Sequence, residues 1–356
     1  MLQGHPVGSG AATKLIGSSV SWSGYGSVMA ASVATTPSPD ELLQAALAGD
    51  QASFGRLVEP HARELHVHCY RMLGSFHDAE DATQETLLRA WRSLPTFQGR
   101  GSLRAWLYRI ATTTCLKAIR ARRPHGADSS TMPYLEPYPD RLLDDLPADG
   151  PDPAAVAAQR TSVALAFVAA LQRLTARQRA VLLLRDVLDW KASEVARLLG
   201  TSVPAVNSAL QRARAGLGRA APLAGVSTRS LSRQDRVVLD RFMEAWQRRD
   251  IDGLVGLLRE DAVLHMPPQA LRYMGREQIA GFLRTVPAEG RLDRIRLLAT
   301  RANGQPAVAA YLPSDGGLEA YGVMVLTVVD EAIQAITGFQ DPSLFAAFGL
   351  PQTRPR

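Results

Sequence analysis

Residues 193–215, SEVARLLGTSVPAVNSALQRARA, admit very few folds. A short helix burying Val195, Leu198 and Leu199 must stop at Gly200, because glycine enters the left-handed turn that ends a helix without strain. Ser202 caps a new helix, and Pro204 lies in its first turn, where a missing N–H costs nothing. Val203, Val206 and Leu210 recur at helical spacing and mark its inward side. The outward side carries Asn207, Ser208, Gln211, Arg212 and Arg214. Amide and guanidinium groups at i, i+4 and i+7 can form paired bonds with base edges, or reach phosphates, from a helix in the major groove. Two ordinary surface helices would share the polar face, but the glycine turn, the cap and the basic surroundings favour a DNA-binding helix-turn-helix.

The charge distribution agrees. The net charge is only +6, yet residues 53–123 hold 12 basic and 6 acidic side chains, 124–153 hold 1 and 7, and 154–220 hold 10 and 3. Two basic blocks flanking an acidic one suggest two surfaces that meet polyanions, joined by a segment that avoids or imitates them. Apolar runs such as Val163–Leu171 and Gly322–Val329 fall short of the ~18 residues that span a bilayer, so no membrane partner is expected. With only Cys69 and Cys115, a disulfide framework is excluded and a reducing, cytoplasmic setting is expected.

Residues 1–39 contain one charged side chain, Lys14, and 22 Gly, Ser, Thr or Ala. They are read as a disordered N-terminal extension, or as sequence upstream of a start at Met29. Residues 40–123 read as an all-α domain. Asp40 is its expected first N-cap, with Leu42, Leu43, Ala46 and Leu47 on one face. A helix from Phe54 runs to a cap at Gly74, the next spans Asp78–Leu94 with a stripe of Ala82, Leu87, Leu88 and Trp91, and a third spans Leu103–Arg122 with Trp106, Leu107, Ile110 and Leu116 inward. Residues 124–153, acidic and proline-rich, read as an extended linker. Helices Ala154–Leu174 and Ala176–Val187 lead into the helix-turn-helix, giving a second all-α domain over 154–220.

After a linker at 221–234 the grammar changes. A helix with Val238, Phe242 and Trp246 inward, a short helix and a strand are followed by the helix in YMGREQIAGFLRTV, then strands near Arg294–Arg301, Ala307–Leu312, Leu318–Val329 and Ala332–Phe339. Helices before a strand meander imply an α+β domain over 235–345 with an enclosed pocket, and a tail at 346–356.

DAEDATQETLLRAWR at 78–92 and GSLRAWLYRIATTTCLKAIRARR at 101–123 resemble region 2 of bacterial sigma-70 factors of the extracytoplasmic function (ECF) class. VLLLRDVLDWKASEVARLLGTSVPAVNSALQRARAGL resembles their region 4. HCYRMLGS at 68–75 and YLEPYPD at 134–140 are similar to the sigma-G and sigma-J type, which carries a SnoaL-like, NTF2-like C-terminal domain. Ser314-Asp315-Gly316-Gly317 is similar to that type's Asp-Gly-Gly motif, although Leu318 and Glu319 replace the usual Gly and Arg. Asn207 and Ala209 depart from the commoner Lys and Arg of the recognition helix, as does Lys191 from a small polar residue.

The resemblance implies a transcription initiation factor whose partners are core RNA polymerase, at the β′ clamp and β flap, and promoter DNA. Asp78, Asp81, Gln84, Glu85, Leu88 and Arg89 would dock on the clamp, though a solvated helix face looks alike. Holding an unpaired strand needs a cationic track beside sites for bases. Phe97, Arg100, Ser102, Arg109, Lys117, Arg120, Arg122 and Arg123 supply it at the minus-10 element, with Trp106 and Tyr108 as stacking platforms unless Trp106 joins Ile110 in the core. Lys191, Ser202, Pro204, Asn207, Ser208, Gln211, Arg212 and Arg214 would meet the minus-35 element. The acidic linker either follows the RNA path through the polymerase or is a plain tether.

No cofactor is expected, and His61, His66, His68 and Cys69 do not converge as a metal site should, since His66 and His68 face different ways on a helix. Asp261 and His265 are the acid/base candidates in the C-terminal pocket, but no paired group supports catalysis, so a regulatory domain with an unidentified small ligand is preferred to an enzyme. The rival readings are a helix-turn-helix regulator acting without polymerase, and a SnoaL-like enzyme fused to a DNA-binding module.

Overall fold

The computed structural model describes residues 37–97, 102–121, 135–144, 163–218, 231–269 and 271–355. The N-terminal extension to residue 36, most of the linker, the start of the helix expected from Ala154, and residues 219–230 with most of the linker expected at 221–234 lie outside them.

Among the described residues the first domain holds four α-helices, α1 (Pro39–Leu47), α2 (Gln51–Leu73), α3 (Phe76–Ser93) and α4 (Leu103–Ala121), with a 3-10 turn at Leu94–Thr96. The cap of α1 is Ser38 rather than Asp40. Ser38 Oγ accepts from Glu41 N at 3.3 Å and Ser38 N donates to Glu41 Oε2 at 2.7 Å, a reciprocal pair with Pro39 at the first helical position. Asp50 and Ser75 cap α2 and α3, and Gly74 closes α2 at φ +77°. The buried face of α3 is Phe76, Ala79, Ala82, Thr83, Thr86 and Ala90, while Leu87, Leu88 and Trp91 are half-buried at its edges. Small side chains let α3 lie close on α2, and the threonines are satisfied internally: Thr83 Oγ1 donates to Ala79 O at 2.7 Å and Thr86 Oγ1 to Ala82 O at 2.6 Å. From α2, Glu64 accepts from Arg104 Nε at 2.8 and 3.0 Å and from Tyr108 Oη at 3.1 Å, which fixes α4.

The second domain packs directly on α2 and α4. After α5 (Arg141–Asp144, in the linker) come α6 (Leu165–Gln172), α7 (Ala176–Leu182) running into a π turn (Leu183–Val187), α8 (Ala192–Leu198) and α9 (Val203–Gly218). The seam is polar where it meets the C-terminal end of α2. Buried Arg179 donates through Nε to Leu171 O, through Nη1 to Met72 O and Gln172 Oε1, and through Nη2 to Gln172 O and Leu174 O, so all its N–H groups have partners. Gln172 Nε2 donates to Arg71 O at 3.3 Å. Two terminal carbonyls of α2 are thus satisfied by the other domain.

The third domain holds α10 (Arg233–Gln247), α11 (Ile251–Gly256), β1 (Leu258–His265), β2 (Arg272–Met274), α12 (Gly275–Thr285), β3 (Arg296–Ala302), β4 (Gln305–Ser314), β5 (Gly317–Val329) and β6 (Ala332–Phe339). The sheet order is β2-β1-β6-β5-β4-β3, antiparallel except where β1 meets β6. Val308, Ala310, Leu326 and Ile336 face the helices and form one core with Phe242 and Trp246. Ala307, Ala309, Tyr311, Val323 and Val325 face the other way and join the core of the first two domains. Residues Gln305–Tyr311 are consequently buried without a break, on both faces of the sheet. The expected tail is structured: α13 (Leu344–Ala347) lays Phe345 edge-on to Tyr311 at 5.1 Å, and β7 (Thr353–Arg354) pairs with β5. Gly317 at φ +137° has Arg354 O where a Cβ would stand, so only glycine fits that crossing.

The described part of the linker, 135–144, is a buried strip and not a solvated tether. Asn303, in the β3–β4 turn at φ +58°, holds it. Tyr138 N donates to Asn303 Oδ1 at 2.8 Å and Asn303 N donates to Tyr138 O at 2.8 Å. Asn303 Nδ2 donates to Tyr70 Oη at 2.9 Å and to Val163 O at 2.6 Å. One amide therefore joins α2, the linker, the start of the second domain and the sheet. Asp140 accepts from Gly304 N at 2.7 Å and pairs with Arg301 Nη2 at 3.0 Å. Arg141 donates to Ala347 O at 2.6 Å and Ala346 O at 3.3 Å.

Burial raises the Asp140 carboxyl to about 6, against the lowering effects of Gly304 N–H and Arg301. Unfolded, it titrates near 3.8. Between those values the folded chain holds a proton the unfolded chain has lost, so this group's contribution is fully present below the lower value and lost as pH rises through about 6. Asp140→Asn should therefore flatten the dependence of thermal midpoint on pH across that window. Asn303→Ala strands several buried groups and should lower unfolding free energy by roughly 2–4 kcal/mol, measured by urea titration with intrinsic fluorescence.

Candidate nucleic-acid and polymerase interfaces

The helix-turn-helix is assembled by local rules. Gly200 turns at φ +58°, Ala205 N donates to Ser202 Oγ at 3.3 Å, and Arg177 Nη2 donates to Leu199 O at 3.2 Å to close α8. Val195, Val206 and Leu210 are buried as expected, and Ala209, Ala213 and Leu217 complete the inner face of α9. Val203 is not part of it: it stands 39% exposed at the first turn. Leu198 and Leu199 are only half-buried.

Lys191, Ser202, Pro204, Asn207, Ser208, Gln211, Arg212 and Arg214 all face solvent. One of them is already engaged. Arg214 forms a paired bridge with Asp186 in the π turn, Nε to Oδ2 at 2.9 Å and Nη2 to Oδ1 at 2.7 Å. It splints α9 to α7 and leaves Asn207, Gln211 and Arg212 as the unengaged polar row.

On α4, Arg109, Lys117 and Arg120 are exposed and fall on one side of the helix. Ser102 is exposed and accepts from Ala105 N at 3.2 Å, capping α4. Phe97 and Trp106 are half-buried against each other at 5.2 Å between centroids. Tyr108 is no stacking platform: it is fully buried, bonded to Glu64 and edge-on to His68 at 5.1 Å. Arg100, Arg122 and Arg123 lie outside the described residues. On α3, Asp81 and Gln84 are exposed and Asp78, Glu85, Leu88 and Arg89 half-buried, with Glu85 bridged to Arg89 at 2.5 Å.

The histidines of α2 have separate duties. His66 Nδ1 bonds Tyr138 Oη at 2.8 Å and His68 Nε2 bonds Thr112 Oγ1 at 2.9 Å. Burial pushes both imidazoles down to about 3, so they stay neutral. His61 bonds Glu64 at 2.8 Å. A different trio converges instead: His77 of α3, Glu136 of the linker and Asp341 beyond β6. Sequence spacing gave no sign of it, because its members come from three segments.

The cone of the third domain encloses a cavity of about 70 Å³ walled by Trp246, Leu264, Phe282, Ile295, Ala310 and Ile336. Among the described residues no histidine or carboxylate lines it. Asp261 is exposed beside Arg259 at 3.3 Å, and His265 is absent from the cavity wall, with burial lowering its pKa. The two acid/base candidates therefore do not meet.

Comparison with known proteins follows the same division. The family model described as "Sigma-70 region 2" matches residues 57–125, "Sigma-70, region 4" matches 164–217 and "SnoaL-like domain" matches 239–336. The ECF RNA polymerase sigma factor SigG of Mycobacterium tuberculosis is 45% identical over 323 residues, 85% of each chain. The chain belongs to the ECF sigma factors. SigJ of the same organism is 28% identical over 301 residues, 80% of this sigma factor and 91% of SigJ. The crystal structure of SigJ has the same fold, with TM-score 0.57 and 24% identity over 81% of this chain and 97% of that one. This sigma factor thus works in transcription initiation through its two helical domains, and its relatives mark it as a regulator.

The Arg214–Asp186 pair yields a prediction. Gln211→Ala should relax preference at one base pair, by the roughly 1–3 kcal/mol of a good base contact. Arg212→Ala should weaken all duplexes alike and flatten the salt dependence. Arg214→Ala should cost DNA affinity less than Arg212→Ala while lowering thermal stability, read by fluorescence anisotropy at two salt concentrations and by melting.

Proposed function

We propose that this sigma factor docks on the β′ clamp of core RNA polymerase through Asp81, Gln84 and Leu88 of α3, with Asp78, Glu85 and Arg89 beside them, while its second domain sits at the β flap. The track of Arg109, Lys117 and Arg120, entered past Phe97 and Ser102, holds the unpaired strand of the minus-10 element. Asn207 and Gln211 read the minus-35 duplex. The observation that carries this reading is that each face keeps exposed polar side chains, Asp81 with Gln84, Arg109 with Lys117 and Arg120, and Asn207 with Gln211, while the packing between domains buries apolar residues elsewhere. Promoter DNA and polymerase place its work in the cytoplasm. The apolar cone suits a small hydrophobic effector rather than a substrate.

In this arrangement the second domain lies against α2 and α4. A duplex rises about 3.4 Å per base pair, so two separated promoter elements need the two domains apart. The compact form is accordingly a resting state, and the C-terminal domain favours it by gripping the linker at Asn303, Arg301 and the Arg141 contacts. Its influence is bounded by its differential affinity for the closed and open forms. Removing the whole domain would uncover Tyr70 and Tyr138, so point substitutions are the cleaner test.

Run-off transcription with limiting core polymerase should rise several-fold for Arg141→Ala and for Asn303→Ala relative to the unaltered chain. Output equal to or below that of the unaltered chain, with both variants folded, would overturn the resting-state reading. Asp81→Ala with Gln84→Ala should weaken association with core while leaving helix content unchanged by circular dichroism.

A further inference from the structure

We infer that His77, Glu136 and Asp341 form a binding site for a divalent first-row transition-metal ion. One ligand atom from each lies within 4.8 Å of the others. His77 Nδ1 and Glu136 Oε2 are 3.1 Å apart. Bonds of ~2.0–2.2 Å to zinc place neighbouring ligand atoms ~3.3 Å apart in tetrahedral geometry, so this pair already has the required separation and only the Asp341 carboxylate has to close in.

The ligands are held in place before any ion arrives. Glu136 Oε2 accepts from Ser75 Oγ at 2.9 Å and from His77 N at 3.0 Å. Asp341 Oδ1 accepts from Ser343 N at 2.9 Å and Ser343 Oγ at 2.6 Å. Carboxylates oriented by outer hydrogen bonds are the usual setting of protein metal ligands. Beside the two carboxylates lies a cavity of about 90 Å³, walled in part by Glu136, Asp341, Pro267, Pro268 and Gln269, with room for water.

One imidazole with two carboxylates matches zinc, manganese or cobalt better than magnesium or calcium, which prefer oxygen alone.

The three ligands come from the first domain, the linker and the C-terminal domain, so an ion would clamp all three segments that set the compact form. An ion present at about 100 times its Kd would shift the docked equilibrium about 100-fold. That consequence for transcription rests on the resting-state reading. The binding itself does not.

The test uses tag-free full-length chain stripped with EDTA, dialysed against Zn²⁺ at up to about 50 μM, with Co²⁺ as a spectroscopic probe. One ion per chain is expected, with d–d absorption from bound Co²⁺. His77→Gln and Asp341→Asn should each weaken binding at least about tenfold and abolish that absorption, while melting in EDTA shows both variants folded. Glu136 is left unaltered because its bonds to Ser75 and the α3 backbone would confound the result. No Zn²⁺ bound at the highest concentration, unchanged binding in either folded variant, or Mg²⁺ binding as tightly as Zn²⁺, would overturn the proposal.

Discussion

The exchange of hydrogen bonds between Asn303 and Tyr138 decides how the rest of the chain can be arranged. A strip of irregular backbone laid between two cores must satisfy its amides without a ladder of its own. Between Pro137 and Pro139, which have no N–H, the Tyr138 amide is the one donor in need of a partner, and the Asn303 side chain supplies it. The same carboxamide then reaches Tyr70 and Val163. Take it away and the strip, the end of α2 and the turn of the sheet each lose a buried partner.

The proline content of the described strip, 135–144, is compatible with two opposite environments. Few donors and few apolar anchors describe a solvated tether, but few donors also suit a segment that must be buried outside regular structure. Only the partner distinguishes the two, and it lies 165 residues away in sequence. By contrast, the break and restart of the helix-turn-helix were legible, since Gly200, Ser202 and Pro204 act on their immediate neighbours. Val203 escaped because periodicity reports a face, not whether anything stands opposite its first turn. Asn303-Gly304 is a recognisable turn pair in the sequence, yet nothing local says what that turn will hold.

The candidate surfaces divide in the same manner. Exposed rows on one helix, such as Asp81 with Gln84 or Asn207 with Gln211, follow from spacing. Groups whose roles depend on a distant partner do not. Tyr108 sits between residues that suggest a nucleic-acid track and is committed to Glu64. Arg214 belongs to the basic row by position and to Asp186 by contact. Arg179 looks like one more cation of a basic domain, while its guanidinium completes the end of another domain's helix. For such a group lysine is no substitute, since a single ammonium has three donors and no planar fork.

Strand β4 has a consequence for how this architecture can be reused. With Gln305–Tyr311 buried on both sides, the C-terminal domain carries an apolar sheet face that the two helical domains cover. Excised and grafted onto another protein, it would bring a sticky surface and invite self-association. Making it a portable cassette would require repainting alternate positions, Ala307, Ala309 and Tyr311 first, with polar side chains. Those same changes would deny it any grip on the chain it came from.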